Sequence, residues 1–273
     1  SPVSKRLSPR KMAFITGTLL LTSTGFICRI LGFFYRIFMS RTIGAEGLGI
    51  YNMVHPIFSI CFAVCAGSIQ TALSQYVAAN QTRGRAVFRT GLVIAMGMSF
   101  LLAWVIYGNA GFLAEKLLLE PRCAPYLPVM AVSVPFAALH ACINGYYYGM
   151  QKARVPAFSQ VAEQVIRMGA VFLIASIWLE SGRQITVSLA VYGHLIGEMA
   201  SAVFTVFCLG FFPPCKDGDS RRAPAIPLSF GATAAPLMAL ALPLMGNRLI
   251  LNVLGSAEAI WIPNKLMSSG LTN

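Results

Sequence analysis

The sequence predicts an all-α polytopic membrane protein of about seven transmembrane helices. Its 273 residues are 56% hydrophobic and 11% charged, with mean hydropathy +0.69, whereas soluble domains carry roughly 25% charged residues. Apolar runs recur between short polar breaks, each near the ~20 residues that carry a helix across a bilayer. The runs are continuous rather than alternating, which excludes a β-barrel.

Taken in order, the spans fall at about 13–39, 50–78, 90–109, 126–149, 155–179, 185–212 and 229–254. The first is too long for the apolar core of a cleaved leader and has arginines inside it, so it reads as a span. The second carries Pro56, Cys61 and Cys65, and the fourth carries Pro135 and His140. Prolines within spans, here with Pro236 and Pro243 of the seventh, free backbone carbonyls and permit bending. The chain begins without Met and ends at SSGLTN after an odd seventh span. It is therefore expected to be a fragment of something longer.

Basic residues in the connections set an orientation. With residues 1–12 cytoplasmic, twelve Lys and Arg fall inside: Lys5, Arg6, Arg10, Lys11, Arg83, Arg85, Arg89, Lys152, Arg154, Lys216, Arg221 and Arg222. Five fall outside: Arg41, Lys116, Arg122, Arg183 and Lys265. The net charge of +12 is thus mostly a topology signal, and no basic soluble domain exists to bind nucleic acid.

Four arginines remain inside the spans: Arg29, Arg36, Arg167 and Arg248. Glu163 and Glu198 accompany them. Six unpaired charges facing hydrocarbon would cost on the order of 18 kcal/mol, more than a typical domain's whole stability. They must face one another or a hydrated cavity. Arg29 and Arg36 are two turns apart and share a helix face. In SQVAEQVIRMG, Gln160, Glu163, Gln164 and Arg167 form a polar stripe at i, i+3, i+4, i+7. Glu163 and Arg167 can pair with each other, and Glu198 can pair with an arginine or with His194 one turn earlier. Arg36 can snorkel to the interface or face the cavity. Four arginines against two glutamates leave a surplus of positive charge, which suits an anionic headgroup because guanidinium matches phosphate oxygens bidentately.

Enzyme signatures are absent. Asp217 and Asp219 share a predicted cytoplasmic loop, so no intramembrane Asp pair can hold a metal, and no H-E-x-x-H, G-x-S-x-G or Walker A motif occurs. His55, His140 and His194 stand on different spans and read as hydrogen-bonded packing residues. No cofactor or metal is expected.

The run GTLLLTSTGFICRILGFFYRIFMSRTIGAEGLGIYNMVHPIF, followed by GYYYGMQKARVPAFSQVAEQVIRMG and GEMAS, resembles the polysaccharide-type flippases. These are the stage V sporulation protein B-like branch of the multidrug/oligosaccharidyl-lipid/polysaccharide exporter superfamily. The resemblance implies fourteen helices in two lobes. Residues 1–12 would then be a cytoplasmic segment, 13–212 the first six-helix lobe, 213–228 a cytoplasmic inter-lobe loop, and 229–273 the first helix of the second lobe with its external loop. It also implies export of undecaprenyl-diphosphate-linked cell-wall or polysaccharide precursors across the bacterial cytoplasmic membrane by alternating access. Cavity arginines would bind the headgroup, and envelope-synthesis enzymes would be further partners. Arg29, Arg36, Arg167 and Arg248 are the candidate headgroup residues, and Gln160, Glu163, Gln164, His194 and Glu198 form the candidate polar cavity or coupling site. Two alternatives stand: a multidrug cation antiporter of the same fold, and a non-transporting membrane scaffold for envelope assembly.

Overall fold

The computed structural model describes residues 8–215 and 229–270. Lys5, Arg6, Lys216, Arg221, Arg222, Asp217 and Asp219 lie outside the described residues, as does most of the 213–228 loop. Six helical runs are long and apolar enough to cross a membrane, but the first, Pro9–Ala79, is 71 residues long. At 1.5 Å per residue it would reach about 107 Å, several times the ~30 Å hydrocarbon core. It is divided at Gly44, whose φ of 76° and ψ of 176° no helix contains. Glycine reaches this conformation without the Cβ clash that any other residue would meet.

We label residues 9–43 α1 and residues 45–79 α2. Contacts on either side of the break show that the chain folds back there. Tyr35 of α1 packs at Gly193, while the His55 ring of α2 lies 5.4 Å from that of His194. Two residues almost equidistant from Gly44 thus meet the same turn of one neighbouring helix. Seven spans result, as the sequence predicts: after α1 and α2 come α3 (Gly84–Gly108), α4 (Leu127–Gly149), α5 (Arg154–Glu180), α6 (Ser188–Phe211) and α7 (Phe230–Ser268). The last outruns its expected end at 254, and its 39 residues span about 58 Å.

Neighbours follow from close contacts. Gly17 and Phe38 of α1 meet Ala153, just before α5, and Phe172 in its second half, so these helices run in the same direction. Gly47 and His55 of α2 meet Val187 and His194 of α6 in the same parallel sense. Helix α4 packs against α2, α3 and α6, and α7 lies against α2 and α3. One face of the bundle gathers the start of α1 with the 80–83 and 150–153 turns. The opposite face gathers Gly44, Arg122 and Gly182.

Helix α4 approaches α2 through GYYYG, a Gly-x-x-x-Gly pair that lets two backbones touch. A Cβ on Gly145 would lie 2.8 Å from the Gln70 carbonyl oxygen, and one on Gly149 would lie 2.9 Å from that of Ser74. Just before these contacts α2 holds a π turn, Ala63–Gly67, and Ser68 Oγ donates to the Ala63 carbonyl at 2.5 Å. Pro56 and Pro135 sit inside continuous helix.

The surface is apolar and the interior carries polar side chains, the reverse of a soluble protein. Trp104 is 74% exposed and Phe172 64%, while Glu198 is 6% and Asn144 8% exposed. Hydrocarbon explains both halves, since lipid welcomes the aromatic shell and forces each ionisable group inward.

Candidate functional site

Polar residues from α2, α4, α5 and α6 converge on a chamber of about 270 Å³ inside the bundle. Helix α5 supplies Ser159, Gln160 and Glu163, helix α6 supplies Glu198 and Ser201, and α4 supplies His140 and Asn144. The stripe on α5 faces inward because its opposite face is apolar and exposed at Val165, Ile166, Phe172 and Leu173. Its arginine is held within the stripe: Arg167 pairs with Glu163 one turn earlier and donates to Gln164 Oε1 at 3.4 Å. The guanidinium lies flat on α6, where a Cβ at Gly197 would come within 2.5 Å of Arg167 Nε. Glycine is what makes room for it.

Glu198 takes a partner other than those the sequence offered. It accepts from neither His194 nor an arginine, but lies 2.6 Å from His140 Nε2 across the α4–α6 interface. His194 shares the face of Glu198, yet its ring stacks edge-on to Phe58 at 4.2 Å and beside His55 at 5.4 Å. Ser159 and Ser201 bond each other at 2.8 Å. Four buried polar atoms have no partner within the described residues: His140 Nδ1, Asn144 Oδ1, Arg167 Nε and His194 Nε2. Asn144 is a member that the sequence did not single out, and His140 is one that it offered only as a hydrogen-bonded packing residue. His140 lies 58 residues from Glu198, and nothing local to either one signals the pair. The one local signal was their own spacing, i and i+4 on one helix face.

Arg248 of α7 occupies a second, separate recess. Its Nη2 donates to Thr71 Oγ1 at 2.9 Å, and it lines about 280 Å³ with Phe58, Ser59, Phe62, Ala63 and Asn252. Phe58 and Phe62 line both recesses and stand between them.

Arg29 and Arg36 join neither group. Both are exposed, on a face of α1 turned away from α5, with exposed Phe26 and Phe33 beside them. Among the described residues, neither has a hydrogen bond or ion pair. The structure therefore separates the four arginines into an internally paired one, a recessed one and an outward-facing pair.

At the face near Gly44, Arg122 bridges Glu46 and Glu120, bonding the latter through Nε at 2.9 Å and Nη2 at 3.0 Å. The hydrogen bond from Arg122 holds the Glu120 carboxyl below the usual carboxylate range.

The chain is similar to several proteins of Bacillus subtilis (strain 168). It is 29% identical over 267 residues to stage V sporulation protein B, covering 96% of this chain and 51% of that protein. It is 23% identical over 206 residues to the lipid II flippase MurJ, covering 69% and 38% respectively. Sporulation protein YkvU is 18% identical over 259 residues, 94% of this chain and 56% of that protein. The chain thus spans about half the length of these relatives, or less. No solved structure matches it. Residues 14–269 match the family described as polysaccharide biosynthesis protein. With nearly the whole chain inside that match, and a polytopic helical bundle to carry it, the chain belongs to the polysaccharide biosynthesis protein family.

Proposed function

We propose that the chain is part of a flippase that moves undecaprenyl-diphosphate-linked cell-wall or polysaccharide precursors across the cytoplasmic membrane by alternating access. It moves its lipid and does not remake it. The observation that carries this reading is the outward pair Arg29 and Arg36. The ionisable groups of the interior are engaged with one another: Glu163 with Arg167, and Glu198 with His140. The positive surplus therefore sits on one exposed face of α1. Each guanidinium left in hydrocarbon costs about 3 kcal/mol or more, so this face belongs against a hydrated cavity. An anionic diphosphate is the partner that two guanidiniums two turns apart can clamp with charge-assisted bonds. Arg248, already bonded to Thr71, is a third cation within reach of such a cavity, and Arg167 has a structural role inside it. Similarity to stage V sporulation protein B and to a lipid II flippase supports the same substrate class.

Residues 1–12 are placed at the cytoplasm by the positive-inside rule. The described residues support this: Arg10, Lys11, Arg83, Arg85, Arg89, Lys152 and Arg154 gather at one face of the bundle.

The test is lipid-linked precursor flipping by the full-length protein carrying Arg29→Ala, read beside its membrane expression. Flipping should fall at least ten-fold at unchanged expression. Arg29→Lys should recover it only partly, because an ammonium keeps the charge and loses the bidentate geometry. Full activity of Arg29→Ala would remove the headgroup role. Absence of flipping from the wild type itself would favour the scaffold reading instead.

A further inference from the structure

Two buried side-chain atoms on the α4 wall of the chamber stand without a hydrogen-bond partner among the described residues, His140 Nδ1 and Asn144 Oδ1. His140 Nε2 lies 2.6 Å from a Glu198 carboxylate oxygen and is the donor of that bond, since a carboxylate only accepts. In a neutral imidazole this leaves Nδ1 as a bare acceptor. One turn further along the same helix face, Asn144 Oδ1 is a second buried acceptor without a partner. Both side chains line the chamber and are about nine-tenths buried. A buried polar atom without a partner is destabilising, and two acceptors cannot relieve each other.

Charge points the same way. The titratable groups nearest the chamber come from several helices. Helix α6 brings Glu198 and His194, helix α5 brings Glu163 and Arg167, and α2 brings His55 and Tyr51. Tyr35 comes from α1 and Tyr148 from α4 itself. With His140 neutral, two carboxylates stand against the one guanidinium of Arg167, and the chamber carries one uncompensated negative charge. Arg29, Arg36 and Arg248 lie outside it.

We infer that the chamber is a site for one exchangeable proton, taken up from water on His140 Nδ1. The new N–H donates toward Asn144 Oδ1, directly or through one water, while Nε2–H keeps its bond to Glu198. Uptake forms a single N–H bond, release breaks it, and no other reactant takes part. One proton thus supplies the missing donor and cancels the excess charge. Coupling-ion sites near the middle of the membrane are the ordinary means by which secondary transporters draw on a gradient. The site extends the coupling role expected of Glu163 and Glu198, and it stands independently of the arginine face.

The chain has three histidines, few enough for each to be followed by substitution. The full-length protein is labelled with ¹⁵N-histidine, placed in lipid nanodiscs, and followed by ¹⁵N NMR from about pH 8 to about pH 5. The His140 signals are assigned as those lost in His140→Gln, or in His140→Asn if the first variant does not fold, and are told apart from their neighbours with His55→Gln and His194→Gln. His140 should move from a neutral tautomer to imidazolium within this range. Its midpoint should fall by at least one pH unit in Glu198→Gln, which removes the facing charge, and should fall in Asn144→Leu, which removes the acceptor. Exchanging KCl for NaCl should leave it unmoved. A His140 that stays neutral throughout, or a midpoint indifferent to Glu198→Gln, would overturn the inference. A midpoint displaced by Na⁺ would overturn it in favour of a metal-cation site. No substrate enters this measurement, so its failure would leave the flippase reading intact.

Discussion

Replacing Gly145 with alanine puts a methyl group where α4 touches the main chain of α2. The added Cβ would stand 2.8 Å from the Gln70 carbonyl oxygen and 3.2 Å from Gln70 Cα. Comfortable carbon–oxygen approaches are about 3.3–3.6 Å, so the helices must part by roughly half an ångström. Main chain has no rotamer into which it can retreat. Overpacking of this kind costs about 1–3 kcal/mol, while alanine's better helix propensity returns about 1 kcal/mol. Gly169→Ala on α5 isolates the first effect, because a Cβ there meets nothing within 4 Å. Both variants gain the same propensity, so Gly145→Ala should be less stable than Gly169→Ala by the overpacking cost alone, about 1–3 kcal/mol. Denaturant unfolding in detergent micelles, followed by circular dichroism, reads the difference. Equal midpoints for the two variants would refute close backbone packing between α2 and α4.

Glu163→Gln and Arg167→Gln should each destabilise the protein, by up to about 3 kcal/mol, since each leaves a partly buried charge without its partner. The double variant should fall well short of their sum, and strict additivity in a double-mutant cycle would separate the two residues. Glu120, held below its ordinary value by Arg122, contributes stability that is fully present above the unfolded pKa of about 4.3. That contribution is lost as pH falls through the lower folded value, so the gap in thermal midpoint between wild type and Arg122→Ala should close in acid. On a cysteine-free background, Lys116→Cys should react with an impermeant thiol reagent in intact cells and Thr82→Cys should not. The opposite pattern would invert the proposed orientation.

Element type and number were legible in the sequence because hydrocarbon imposes one rule on every span, length and apolarity. The break between α1 and α2 was legible for the same reason, and Gly44 is its instrument. The end of α7 was not legible, since helix can continue beyond the membrane wherever the chain lacks a breaker. Within the site, the Glu163–Arg167 pair was readable because i, i+4 geometry is local. The His140–Glu198 contact depends on how α4 crosses α6, which no short pattern encodes. It displaced the expected His194 partner because the ring of that residue is committed to Phe58 and His55. The tight α2–α4 contact was written in GYYYG as a small-residue pair, although three tyrosines between the glycines disguise it.

On the proposed function, the Arg29–Arg36 face of α1 meets the precursor headgroup. Phe33 stands between these arginines on that face and is 62% exposed, whereas Leu101 of α3, 59% exposed, lies on a helix remote from them. A photoreactive benzoylphenylalanine at each position, irradiated in membranes containing radiolabelled lipid-diphosphate precursor, tests the claim most directly. Position 33 should capture the precursor, lose most of that signal in Arg29→Ala, and exceed position 101 several-fold. Equal capture at 33 and 101, or capture at 33 that is indifferent to Arg29, would contradict it.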